Sequence, residues 1–129
     1  MVGQASGLKM VYAASTKGTT ALWTELLVAS RALGLQDALM AEFGSSHPVA
    51  TRLMRGIPAM PRRARRWVGE MEEIAATFAS LGMTPRMLEG AADMYRLVGD
   101  TPLADQTSRE PDPELQDVLE TLVQAVQAV

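Results

Sequence analysis

Apolar residues return at three- and four-residue steps through almost the whole of this chain, and no run of alternating β-branched residues bounded by hairpin turns interrupts them. A chain patterned in this way folds as helices packed on helices. The clearest stretch keeps Ala64, Trp67, Val68, Met71, Ile74, Ala75, Phe78 and Leu81 in one helical phase until Gly82, which predicts a core-facing helix. Ahead of it the spacing predicts a long first helix from about Ser6 to Leu33. Leu8, Tyr12, Leu22, Leu26, Ala29 and Leu33 form its core face, and Gly34 ends it. Gly18 and the Thr19-Thr20 pair weaken its middle. A helix-interior glycine costs ~1 kcal/mol against alanine, so a bend or the close approach of another helix is expected there.

The remaining punctuation is also helical. A short helix carries Leu35, Leu39, Met40 and Phe43, and one or two further turns hold Val49, Leu53 and Met54 before Gly56. Pro58 and Pro61 then break the chain. Thr84-Pro85 is a start signal ahead of Met87, Leu88, Ala91, Ala92, Tyr95 and Val98, and Asp112-Pro113-Glu114 is another ahead of Leu115, Val118, Leu119, Leu122, Val123 and Val126. The polar stretch 99–111 between those two helices reads as a loop. The expected fold is all-α, one multi-helix domain of five to six helices over residues 1–129 with a long first helix.

Composition narrows the function. With 129 residues and 47% of them apolar, the chain can bury a core of its own. A formal net charge of −3 disfavours nucleic acid as a partner. The absence of cysteine excludes disulfides and thiolate metal sites, and a single histidine cannot build a histidine cluster. Lys9, Lys17 and Glu25 interrupt the apolar residues of 1–30, which therefore resemble neither a secretory leader nor a membrane span. This reading expects no membrane association, and favours the cytoplasm.

Two groups of residues carry candidate chemistry. Lys9 lies early in the first helix, behind the glycine-bearing entry Gly3-Gln4-Ala5-Ser6-Gly7, on a face shared with Tyr12, Ala13 and Thr16. The positive end of the helix dipole disfavours a cation there. An amine so placed can exchange a proton with a substrate hydroxyl or carbonyl; the alternative is a solvated lysine on an amphipathic helix. Lys17 lies about 80° around the axis from Lys9 in a regular helix, and is supporting at most. The second group is Arg62-Arg63-Ala64-Arg65-Arg66. Arginines in the first turns of a helix face an unfavourable dipole, which a bound phosphate or carboxylate would offset. The alternative is a surface ladder in which Arg62, Arg66, Glu70 and Glu73 pair along the helix. Trp67 and Trp23 read as core or interface anchors and His47, before Pro48, as a cap.

The words Gly3-Gln4-Ala5-Ser6-Gly7-Leu8-Lys9-Met10-Val11-Tyr12-Ala13-Ala14-Ser15-Thr16-Lys17-Gly18 and Arg63-x-x-Arg66-Trp67-x-x-Glu70-Met71-x-Glu73-Ile74-Ala75 resemble the C-terminal helical domain of the β-hydroxyacid dehydrogenase superfamily. That superfamily includes 3-hydroxyisobutyrate and 6-phosphogluconate dehydrogenase-like NAD(P)-dependent oxidoreductases; the likeness is to the branch with a phosphogluconate dehydrogenase-like C-terminal domain. The resemblance implies a fold like the 6-phosphogluconate dehydrogenase C-terminal domain, Lys9 as the catalytic lysine and Glu70 at the family's acidic position. Tyr12 and Thr16, on the face of Lys9, and Arg62 and Arg66, from the arginine group, complete the substrate-binding candidates with Glu70. The substrate it implies is a small hydroxyacid-like molecule, and the arginine group can take an anionic one. Two departures stand out. The family asparagine four residues after the lysine is Ala13 here, and of the Lys-Asp pair early in the later helix the acid falls at Glu70 while the lysine position is Gly69. NAD or NADP is the implied cofactor. The chain itself has no Gly-x-Gly-x-x-Gly after a strand, so a dinucleotide-binding domain is expected from a parent chain or a separate polypeptide. The resemblance also implies a homodimer. A catalytically idle helical dimerisation or interaction module is the rival expectation.

Overall fold

The computed structural model describes residues 3–128. Its first thirty residues run as one rod, from α1 (Gln4–Ala13) through a wider π turn at Ala14–Gly18 into α2 (Thr19–Ala32). The weak middle foreseen at Gly18 is where that wide turn falls. Gly34, at φ +72°, ends the rod, with the Leu35 N–H donating to the Ser30 carbonyl. Gly82, at φ +88°, ends a later helix in the same way, with the Met83 N–H on the Phe78 carbonyl. Only glycine enters this left-handed conformation without a Cβ penalty.

After Gly34 come α3 (Gln36–Ser46) and α4 (Ala50–Met54). A short 3-10 turn at Pro61–Arg63 then leads into α5 (Ala64–Ser80), followed by α6 (Arg86–Gly99), a 3-10 turn at Pro102–Asp105 and α7 (Leu115–Gln127). The result is an all-α bundle of about six helices with a long first one, and among the described residues there is no strand. The stretch expected as plain loop thus holds one tight turn. Thr84 acts as foreseen at the start of α6, its hydroxyl accepting from the Arg86 N–H.

α5 and α6 form the most extensive helix pair. They bury Met71, Ile74 and Ala75 from one and Leu88, Ala92, Tyr95 and Val98 from the other. α7 closes on α2 with Val118, Leu119 and Leu122 fully buried. Each such side chain contributes roughly 1.5–3 kcal/mol against exposure. Arg31, near the end of α2, fastens that corner by bonding Glu120 and Gln116 of α7 and Gln36 of α3.

The core face of the first helix differs from the sequence expectation. α2 buries Ala21, Trp23, Thr24, Leu27 and Val28, while Leu8, Tyr12, Leu22 and Leu33 are 72%, 67%, 57% and 70% exposed. Leu26 alone of the apolar set packs partly against the core, and Ala29 faces out. Periodicity fixes the phase of an apolar stripe. It does not choose between two stripes on one helix, and the side holding Trp23 and Leu27 has the larger apolar side chains to bury. His47 caps nothing through its side chain. Its ring instead packs edge-on against Trp23 and Phe43 at 5.2 and 5.6 Å.

Candidate functional site

The π turn is the centre from which the candidate residues are best located. Tyr95, fully buried on α6, donates its hydroxyl hydrogen to the Lys17 carbonyl and faces the Ala21 backbone N–H. Those two backbone groups are the i and i+4 partners of a regular helix. A hydroxyl standing between them opens the ladder, a recognised cause of a widened or bent helix. Burial pushes the Tyr95 hydroxyl far above its ordinary titration range.

The same turn aims Lys17 inward. Its ammonium bonds both Glu70 carboxylate oxygens, at 3.1 and 2.9 Å, and stands 5.0 Å from the centre of the Trp67 ring. Trp67 in turn meets Tyr95 edge to face at 5.3 Å. Lysine, glutamate, tryptophan and tyrosine from the rod, α5 and α6 thus form one closed cluster. With side chains 26% and 42% exposed, the Lys17–Glu70 pair contributes ~0–1 kcal/mol, and the cation over the indole a further ~0.5–1 kcal/mol. The Trp67 Nε1 is buried without a hydrogen-bond partner. Sequence reading placed Glu70 among the candidates but gave Lys17 a lesser part and Tyr95 only a core position. The missing signal was three-dimensional, because nothing in the spacing joins residues 17, 70 and 95.

Lys9 and Tyr12 lie apart from this cluster, on an α1 that has no buried residue. Lys9 is exposed and forms no ion pair among the described residues. The Thr16 hydroxyl turns back to the Tyr12 and Ala13 carbonyls of its own helix. The three residues share one continuous helix, and none of them lines the cavities beside α2 and α6.

The arginines separate. Arg62 and Arg63 occupy the 3-10 turn rather than the first turn of α5, and among the described residues Arg62 pairs with Asp112 and Glu70 with Lys17 instead of forming the ladder of Arg62, Arg66, Glu70 and Glu73. Arg62 instead ties down the loop before α7, donating to the Thr107 and Glu110 carbonyls and pairing with Asp112 at 2.9 Å. Arg65 donates to the Gly99 carbonyl and pairs with Asp105. Arg63 and Arg66 are both exposed and without an ion-pair partner among the described residues, and Arg63 spends one guanidinium donor on the Ala59 carbonyl. Of the two substrate candidates Arg62 and Arg66, it is Arg66 whose charge is left to meet an external anion.

Beside the π turn a cavity of about 400 Å³ opens between the rod and α6, floored by Gly18, Ala21 and Gly90 and bordered by Leu22, Glu25 and Met87. A second of about 440 Å³ continues from Glu25 and Gly90 toward Ala32 and Val126. Among the described residues no group of three or more His, Asp or Glu side chains is placed to hold a metal ion, and no helix is long and apolar enough to cross a membrane.

Fold and cluster together define a helical domain whose charged pair is gathered at a distorted turn of its longest helix. The chain belongs to the family described as a domain of unknown function (DUF1932), whose model matches residues 30–98, from the end of α2 through most of α6. Trp67, Glu70 and Tyr95 fall inside that span, and Lys9, Tyr12, Thr16 and Lys17 precede it. No curated protein matches the chain.

Proposed function

We propose that this chain is the substrate-side and assembly half of an NAD(P)-dependent oxidoreductase of the β-hydroxyacid dehydrogenase type, not active alone, with a fold like the 6-phosphogluconate dehydrogenase C-terminal domain. The observation that carries the reading is the Lys17–Glu70 pair. The resemblance calls for a lysine and an acid together early in α5. Gly69 cannot supply the lysine, and Lys17 brings an ammonium to Glu70 from the neighbouring rod.

In this reading Lys9 moves the proton while hydride passes between nicotinamide and a small, hydroxyacid-like substrate. Tyr12 and Thr16 border that substrate, and Arg66 meets its anionic group. A dinucleotide-binding half, from a parent chain or a separate polypeptide, binds NAD or NADP and meets the Lys9 face of the first helix. The protein works as a homodimer in the cytoplasm. A second reading, an idle helical dimerisation module, is favoured by one observation: Lys9 is solvated rather than turned into a pocket.

Supplying a dinucleotide-binding half and following NADH and NADPH oxidation against small oxo- and hydroxyacids separates the two. The expected outcome is turnover that falls ~10²–10⁴-fold in Lys9→Ala, the worth of general acid–base catalysis, with the helical circular dichroism unchanged. Near-normal turnover in that variant removes Lys9 from the mechanism. Absence of turnover in every combination leaves the assembly module.

A further inference from the structure

The wide turn at Ala14–Gly18 interrupts a rod that is α-helical on both sides of it. Closing a turn over one residue more than usual amounts to an insertion in the helix, and one residue is about 100° of rotation. Everything before the turn, Lys9 included, therefore points about 100° away from where an unbroken α-helix would carry it. Hydroxyls meet the carbonyls around the turn. Ser15 donates to the Tyr12 carbonyl, Thr16 to those of Tyr12 and Ala13, Thr19 to that of Ser15, and Tyr95 to that of Lys17. The serine and threonine bonds stay within the rod and are of the kind that bends helices. Of these hydroxyls only that of Tyr95 comes from another helix. It ties the turn to α6, which packs on it together with α5.

We propose that Tyr95 is a positioning residue for proton transfer by Lys9, acting through the π turn. Its hydroxyl stands between the Lys17 carbonyl and the Ala21 N–H, and so keeps the extra residue in the turn. Without that hydroxyl the two backbone groups pair as in an ordinary helix and the turn becomes regular. α1 then rotates as a unit, taking Lys9, Tyr12 and Thr16 off the substrate together. Arg66 lies on α5 and stays where it was. The inference rests on the reading of Lys9 above for its consequence in turnover, and not for its geometry.

Geometry and turnover are read separately. Because the chain has no cysteine, spin labels go cleanly on S6C or V11C, at exposed positions on different sides of α1, each paired with G69C on α5. The labelled chains are diluted with unlabelled protein. Side chains stand ~5–6 Å from a helix axis, so Tyr95→Phe is expected to shift the mean distance of at least one pair by ~5 Å. With a dinucleotide-binding half supplied, its turnover is expected to fall about a hundredfold, the loss that a small misplacement brings. Deleting Ser15, an exposed residue of the turn, takes one residue out of the rod. Alone the deletion is expected to disturb both readouts, because the hydroxyl still opens the ladder. Combined with Tyr95→Phe it leaves a regular rod in the original phase, and both readouts are expected to return. A side chain that merely stabilises the fold has no such rescue. Unchanged distances in Tyr95→Phe overturn the proposal whatever turnover does, and so does a double variant no better than its parents. Should the deletion variants lose their helical circular dichroism, the Tyr95→Phe distances decide alone. If distances shift while turnover holds, an inactive Lys9→Ala overturns the positioning role, and an active one overturns the reading on which it rests.

Discussion

Tyr95 joins α6 to the π turn through its hydroxyl and to Trp67 of α5 through its ring, and that hydroxyl gives a direct handle on the π turn. Losing that hydroxyl removes the group standing between Lys17 and Ala21 while keeping the ring that meets Trp67. Tyr95→Phe is therefore expected to lower stability by about 1 kcal/mol near neutral pH, the net worth of one buried hydrogen bond. The pH dependence of that difference has a definite sign. Burial raises the hydroxyl above its ordinary value in the folded state, so its contribution is complete below the unfolded value of about 10 and declines as pH rises beyond it. Urea unfolding of wild type and variant between pH 8 and 11 is expected to show their difference shrinking above about pH 10; a constant difference would mean that the phenol titrates alike in both states. Little of this was legible in the sequence. Lys9, Tyr12 and Thr16 were marked by a local word. The cluster depends on residues that share no spacing and on a carbonyl, which has no signature in a sequence at all.

At the scale of elements the pattern carried much further. α5 and α6 have one apolar stripe each, and Met71, Ile74, Leu88 and Val98 are buried where periodicity put them. Leu81 and Met87, at the facing ends of the two helices, keep the phase but are 73% and 79% exposed, because no other element packs over them there. Gly34 and Gly82 ended helices as their positions implied. The first helix was ambiguous because it is apolar on both sides, and the segment around residue 62 because a proline-led 3-10 turn and the first turn of an α-helix have the same composition. Two glycines make the point testable. Gly69 is exposed in the interior of α5, with nothing within 4 Å of an added Cβ, and Gly69→Ala is expected to stabilise by ~0.4–1 kcal/mol. Gly82, also unobstructed, sits at φ +88°, and Gly82→Ala is expected to destabilise by ~1–2 kcal/mol. Denaturant midpoints for the pair decide it: if both substitutions act in the same direction, backbone conformation is not what distinguishes the two sites.

Across the whole molecule, stability is distributed unevenly along the rod. α2 is held by α7, α4 and α6, and Arg31 anchors its far end, whereas α1 buries no residue completely and touches the core only through Met10 and Ala13. Ten residues of isolated helix are marginal in water, since helices shorter than ~12–15 residues rarely repay the cost of nucleation. Continuity through the π turn removes the nucleation step but supplies no packing. In a dilute, unpartnered chain α1 is therefore expected to open locally, with free energy far below that of global unfolding. Backbone amides of residues 8–13 are expected to exchange at least a hundredfold faster than those of Leu27, Val98 and Leu119, whose side chains are fully buried. Raising the concentration should then slow the α1 amides selectively, because assembly of the homodimer proposed above through the first long helix covers that exposed segment, while the core amides keep their rates. Hydrogen exchange followed by mass spectrometry across a hundredfold range of protein concentration reads both effects at once. Protection of α1 equal to the core at the lowest concentration would show that the segment is stable without any cover, and the reason for assigning its exposed face to a partner would be gone.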